Sequence, residues 1–146
     1  MNQIKVSKIR DVKTPTRGTP GSAGIDFYVP EGFNNEIQPG EDVCIPSGVR
    51  VNVPAGHALV AFNKSGVALK KNLTVGACVV DEDYQGEIHL HLINVGTKTV
   101  YLSPGEKITQ FLLVPVKYPE VSIVEDNDLF DSETERGAGG FGSTGV

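Results

Sequence analysis

Residues 87–116, EIHLHLINVGTKTVYLSPGEKITQFLLVPV, decide the fold class. Ile88, Leu90 and Leu92 alternate with Glu87, His89 and His91, the period of two that belongs to a strand with one buried face. Val95-Gly96 and Ser103-Pro104-Gly105 supply turn chemistry, and between and beyond them Thr97–Leu102 and Lys107–Val116 read as two further strands. The same pattern extends outward. Gln3–Ile9 alternates as a half-buried strand, and Val43–Val53 is rich in β-branched residues around a Pro46-Ser47-Gly48 turn. His57–Phe62, Asn72–Val75 and Cys78–Val80 complete the set. Many short strands at this spacing predict an all-β sandwich or barrel.

One helix interrupts them. Ser65 is a residue type that caps helices, and Gly66-Val67-Ala68-Leu69-Lys70-Lys71 follows with cations in its last turn. From Glu125 the composition changes to acidic residues and then to the Gly-rich run Arg136–Val146. A segment this poor in apolar residues cannot offset its ordering entropy, so residues 125–146 are expected to be a flexible arm on a domain formed by residues 1–124.

Composition narrows the function. A chain of 146 residues with 39% hydrophobic and 21% charged residues is ordinary for one globular domain. A formal net charge of −5 argues against a nucleic-acid binder that works by neutralising phosphates broadly, while leaving room for a small phosphate site. No apolar run is long enough to span a bilayer, and MNQIKVSKIRDVK lacks the apolar stretch of a signal peptide, so a cytoplasmic location is expected. Cys44 and Cys78 are too few for a disulfide framework and have no zinc spacing.

Three motifs mislead. Gly137-Ala138-Gly139-Gly140-Phe141-Gly142 matches GxGxxG, but the fingerprint has meaning only between a strand and a helix. A Walker A reading of the same tail fails because Ser143 stands where the lysine belongs. His89 and His91 share a strand face and could in principle hold a metal, yet no third ligand is near, and polar positions on a strand face are the plainer reading.

What remains falls into five stretches in order: Ala23-Gly24-Ile25-Asp26-Phe27, Lys64-Ser65-Gly66, Val80-Asp81-Glu82-Asp83-Tyr84-Gln85-Gly86-Glu87, Gly105–Gln110, and the Gly-rich tail with Arg136 and Phe141. In this order and spacing the chain resembles the trimeric dUTPase family from Ala23 to Gly145. The resemblance implies an all-β subunit, a distorted jelly-roll (β-clip) barrel with one short helix. It also implies a homotrimer whose sites draw on three chains and hydrolyse dUTP to dUMP and pyrophosphate. That activity would limit uracil in DNA and supply dUMP for dTMP synthesis.

Carried onto this chain, the resemblance makes Asp81 the group that orients the attacking water. It places Tyr84 against the deoxyribose, and the backbone of Cys78, Val79 and Val80, with His89 nearby, along the uracil edge. Lys64, Ser65, Gly66 and Gln110 would take the α- and β-phosphates. Arg136, Gly142, Ser143 and Thr144 would cover the γ-phosphate, with Phe141 over the base. Asp26 would hold the phosphate-binding region in place by hydrogen bonds. Mg²⁺ would be chelated by the phosphates and water, with no protein ligand. The family usually has Pro-Arg-Ser-Gly where this chain has Asn63-Lys64-Ser65-Gly66, and a small residue where it has Cys78. A dCTP deaminase of the same fold would need a further catalytic Glu, for which no candidate matches. A purely regulatory binder would have no need of Asp81, Tyr84 and the tail motif, all present.

Overall fold

The computed structural model describes residues 3–143 and 145. Along the chain lie β1 (Lys5–Lys8), β2 (Ile25–Tyr28), β3 (Asn35–Ile37), β4 (Asp42–Pro46), β5 (Val49–Asn52) and β6 (His57–Phe62). Helix α1 (Ser65–Lys71) follows, then β7 (Leu73–Val75), β8 (Val79–Val80), β9 (His89–Asn94), β10 (Val100–Leu102) and β11 (Lys107–Pro115). All pairings between these strands are antiparallel. One sheet runs β2-β11-β6-β8 and a second β4-β9-β7, while β1-β5 and β3-β10 form two-stranded ribbons. The sheets do not join into a closed barrel; the arrangement is a distorted jelly roll.

The alternation in the sequence is what builds the core. Leu90 and Leu92 of β9 point inward and are almost completely buried, as is Phe111 of β11, whose ring centroid lies 4.6 Å from that of Phe27. Ile45, Leu59 and Leu73 join the same cluster, so both larger sheets share one core. Asn94 continues the inward row of β9 and is fully buried, a polar residue at a core position. Its side chain donates to Ile37 O at 2.9 Å and Lys98 O at 2.8 Å, and accepts from Gly96 N at 2.9 Å. A single amide thereby closes the turn after β9 and joins it to β3.

Val43–Val53 divides at its expected turn, Ser47-Gly48, into two strands with different partners, β4 on β9 and β5 on β1. Gly48 has φ +75°, and a Cβ there would come within 2.9 Å of Arg10 and Val12, so both backbone and packing demand glycine. Ser65 is the first helical residue rather than the cap; Lys64 occupies the cap position and supplies no side-chain hydrogen bond. Asn72, placed by its sequence context at the start of a strand, ends the helix at φ 53°. Residues Lys5–Lys8 are exposed throughout, because among the described residues β1 pairs only with β5. The short strand β3 was not foreseen, since Asn35-Glu36-Ile37 carries little strand preference and gains its conformation from pairing with β10.

After Pro115 the chain leaves the sheet. Val116 N still bonds to Gly56 O at 2.8 Å, and a 3₁₀ turn covers Asp126–Asp128. Among the described residues, the hydrogen bonds of residues 119–145 run within that segment, and Val121, Ile123, Phe130 and Phe141 are exposed.

Replacing Asn94 by Ala strands two carbonyls and an amide, so the variant is expected to lose about 2–4 kcal/mol of stability. Urea unfolding at matched protein concentration, compared through the midpoint at constant slope, measures this; an unchanged midpoint would refute the role assigned to Asn94.

Candidate functional site

The register of the four-stranded sheet places Asp26, Gln110 and Phe62 side by side on β2, β11 and β6. Gln110 reaches across this row and donates from Nε2 to Asn63 O at 2.7 Å. Its side chain occupies the space where a Cβ of residue 24 would stand, which accounts for Gly24. Asn63 in turn accepts from Val75 N at 2.8 Å and donates to Thr74 Oγ1 at 3.3 Å, tying the end of β6 to β7 and fixing where α1 begins. Asp26 is buried, and Lys64 Nζ donates to its Oδ1 at 2.5 Å, with Lys107 Nζ at 4.0 Å from Oδ2. Ser65 and Gly66 follow in the open. Asp26, Lys64 and Gln110 thus form one cluster with an exposed hydroxyl and amide beside it.

A second centre surrounds a cavity of about 200 Å³ at the hairpin between β8 and β9. Cys78, Val79, Val80, Asp81, Tyr84 and His89 line it, with Phe111 contributing from β11. The segment entering the hairpin is anchored by Ala61 N, which donates to Cys78 O at 2.8 Å. At the tip, Tyr84 N donates to Asp81 O at 3.1 Å and Tyr84 Oη to Glu87 O at 2.7 Å, so the ring lies along the hairpin. Gly86 permits this, since a Cβ there would fall 2.5 Å from Tyr84 Oη. The Asp81 carboxylate is exposed. His89 Nδ1 lies 3.1 Å from Glu87 O.

Carboxylates that the sequence did not single out hold this hairpin. Glu87 accepts from Arg10 Nε at 2.8 Å and Nη2 at 3.1 Å, and from Gly48 N at 2.8 Å. The Arg10 hydrogen bond, aided by the Gly48 amide, holds its carboxyl below the ordinary carboxylate range. Glu82 is likewise held low, by the Tyr118 hydroxyl first and then by Gly56 N, which donates at 3.1 Å. Glu82 in return pushes the Tyr118 phenol up to about 12. Through Glu82 the hairpin tip is bonded to the turn between β5 and β6. Only distant partners give these roles to Glu82 and Glu87, so no local motif could have revealed them.

The remaining sites are separate. Arg136 Nε donates to Gly139 O at 2.8 Å, within the tail, and Phe141, Gly142 and Ser143 are exposed. Thr144 lies outside the described residues. His89 and His91 do not cooperate as ligands: Ala77 N donates to His91 Nδ1 at 2.7 Å, and Asp42 Oδ2 stands 2.7 Å from Nε2, so both nitrogens of His91 are engaged.

The family model described as dUTPase matches residues 10–145. A deoxyuridine 5'-triphosphate nucleotidohydrolase of Desulfitobacterium hafniense is 39% identical, with 100% of this chain and 99% of the relative covered. One of Yarrowia lipolytica is 36% identical over 98% of this chain and 89% of its own. A solved structure of the Staphylococcus bacteriophage 80alpha dUTPase with dUPNHPP superposes with a TM-score of 0.88 at 26% identity, covering 100% of both chains.

The Arg10–Glu87 pair carries a definite pH signature. Its lowered pKa means Glu87 contributes its full stability above the ordinary carboxylate pKa and loses it as pH falls through the lowered value. The urea-midpoint gap between wild type and Glu87→Gln should stay constant from about pH 8 to about pH 5 and shrink on further acidification. A gap that is independent of pH down to about pH 3 would show that ionised Glu87 contributes nothing.

Proposed function

Because the chain belongs to the dUTPase family, we propose that it hydrolyses dUTP to dUMP and pyrophosphate by in-line attack of water on the α-phosphorus. The observation that carries this reading is the β8–β9 hairpin, where a cavity of about 200 Å³ is lined by strand backbone, an exposed Asp81 and the Tyr84 ring. Backbone amides and carbonyls have fixed polarity, so they read the uracil edge and leave cytosine with unpaired groups, a mismatch worth ~10⁴ in discrimination. Tyr84, held along the hairpin by Glu87 O, presents its ring to the sugar and leaves no room for a 2′-hydroxyl. The narrow hairpin likewise refuses the thymine methyl group.

Asp81 accepts the proton of the attacking water as general base. The hydroxyl of Ser65 and the amides around Gly66 donate to the α- and β-phosphates, with Gln110 beside them. Asp26 orients Lys64, through the 2.5 Å bond, at the edge of that cradle. No set of three metal-ligating side chains gathers among the described residues, and Asp26 is already taken up by Lys64. In this reading a Mg²⁺ ion would be held by the triphosphate and water rather than by side chains. Such an ion would neutralise charge that develops on the pyrophosphate leaving group.

The functional unit in this reading is a homotrimer, with residues 1–124 as the β domain and residues 125–146 as an arm closing a site of the assembly. The exposed Leu129, Phe130 and Phe141, and hydrogen bonds confined to the segment itself, support an arm with its seat on another subunit. Arg136, Gly142, Ser143 and Thr144 then cover the γ-phosphate and Phe141 stacks on the base, so that binding energy goes into the reactive geometry. No helix among the described residues is long and apolar enough to cross a membrane. A cytoplasmic site of action, limiting uracil in DNA and supplying dUMP for dTMP synthesis, completes the reading.

The test is pyrophosphate release from dUTP, dCTP, dTTP and UTP, with and without Mg²⁺; failure to prefer dUTP would overturn the reading. Within it, Asp81→Asn should lower kcat by ~10²–10⁴ with little change in KM. Turnover close to wild type would remove Asp81 from the role of base. Tyr84→Ala should raise UTP turnover relative to dUTP, and an unaltered ratio in a folded variant would show that the ring is not the sugar gate.

A further inference from the structure

At Ala77 the chain changes sheets. Leu73–Val75 belongs to the sheet with β9, and Gly76 N still bonds to His91 O at 3.0 Å. Two residues later Cys78 O bonds to Ala61, and Val79 and Val80 pair with Val60 and Leu59 of the other sheet. At the step between, the Ala77 amide takes its hydrogen bond from a side chain rather than from either ladder: it donates to His91 Nδ1 at 2.7 Å. The imidazole sits so close to the backbone that a Cβ on Gly76 would fall 2.1 Å from Nδ1. An amide can only donate, so Nδ1 accepts and the neutral ring carries its proton on Nε2. That nitrogen faces Asp42 Oδ2 at 2.7 Å, a carboxylate ready to accept. The other residue paired across from His91 is Cys44 of β4.

We propose that His91 is a positioning residue for base recognition, setting the strand Cys78–Val80 through the Ala77 amide, with Asp42 holding its ring in the Nε2–H tautomer. The proposal rests on the dUTPase reading for what the strand recognises. The geometry beneath it is independent of that reading. Ala77, Cys78, Val79 and Val80 all line the hairpin cavity, so the direction in which the chain leaves Ala77 determines where their amides and carbonyls point. His91 itself is absent from that lining; it acts through the backbone. Asp42 is mostly exposed, and its part is to orient the ring, the role a carboxylate plays behind a working histidine.

The experiment compares wild type, His91→Leu and His91→Asn. Asparagine places Oδ1 near the position of Nδ1 and keeps an acceptor for Ala77; leucine keeps bulk and removes it. His91→Leu should raise KM for dUTP roughly three- to tenfold at nearly constant kcat, the sign of lost ground-state binding, and should narrow the dUTP-over-dCTP preference. His91→Asn should recover most of both. Nitrogen-15 NMR of the full-length wild-type protein, with the His91 signal assigned by its absence from His91→Asn, should show an unprotonated Nδ1.

An unchanged KM and base preference in His91→Leu would overturn the proposal, and so would a protonated Nδ1 in the neutral ring. If His91→Leu does not fold, the comparison of His91→Asn with wild type and the tautomer still decide: Asn with leucine-like loss of base preference counts against, retention counts for. Absence of dUTP hydrolysis in wild type would defeat the dUTPase reading instead. The tautomer and the hydrogen exchange of the Ala77 amide, faster in His91→Leu if the bond holds it, would then judge the positioning role alone.

Discussion

Everything at the site depends on the two-sided character of β11. Successive residues of a strand face opposite ways, so Phe111 enters the core against Phe27 while Gln110, one residue earlier, faces the Asp26–Lys64 cluster. Since β11 pairs with both β2 and β6, its register decides which residues stand beside Gln110, and a one-residue slip would exchange core for site along the whole strand. The bulge between Lys107 and Thr109 sits just before this row. Phe111 also contributes to the hairpin cavity, so the strand that packs the core also supports the second centre.

The sequence made the strands legible where alternation was strict. Residues 87–116 gave β9, β10 and β11 because their inward positions are apolar and the turns between them carry Gly and Pro. It misled where a polar residue stands inside or an apolar one outside. Asn94 sits at a core position because three backbone groups need it, and nothing local announces that need. Val6 of β1 is apolar yet exposed, since among the described residues β1 pairs only with β5. At the helix start, Ser65 carried the residue type of a cap, but the path of the chain out of β6 places Lys64 there.

The site was readable to a different depth. Asp26, Lys64 and Gln110, singled out by the family resemblance, form one cluster, and Cys78 to Asp81, Tyr84 and His89 line one cavity. The residues that hold these groups were invisible. Arg10 and Glu87 are 77 positions apart, and Gly56 and Glu82 are 26 apart. Asp42 and His91 are 49 apart. Long-range pairs of this kind arise from topology, which brings strand ends together without leaving a pattern in any short window. His91 shows the contrast well. Read along the chain, it is one polar residue in an alternating strand; in three dimensions, both its nitrogens are committed.

The pairing of Lys64 with buried Asp26 gives one ammonium two obligations. A carboxylate that is withdrawn from water needs a counter-ion, and removing the partner of such a charge commonly costs about 3–5 kcal/mol. Lys107 stands 4.0 Å away and compensates only from a distance. If, as proposed, a triphosphate binds at this cluster, it would meet an ammonium whose charge is already shared, and its gain would be the difference between two anions competing for one nitrogen. On the proposed reading, loss of Lys64 would weaken the subunit and the phosphate cradle together. Kinetics on such a variant would report charge neutrality inside the protein as much as affinity at its surface.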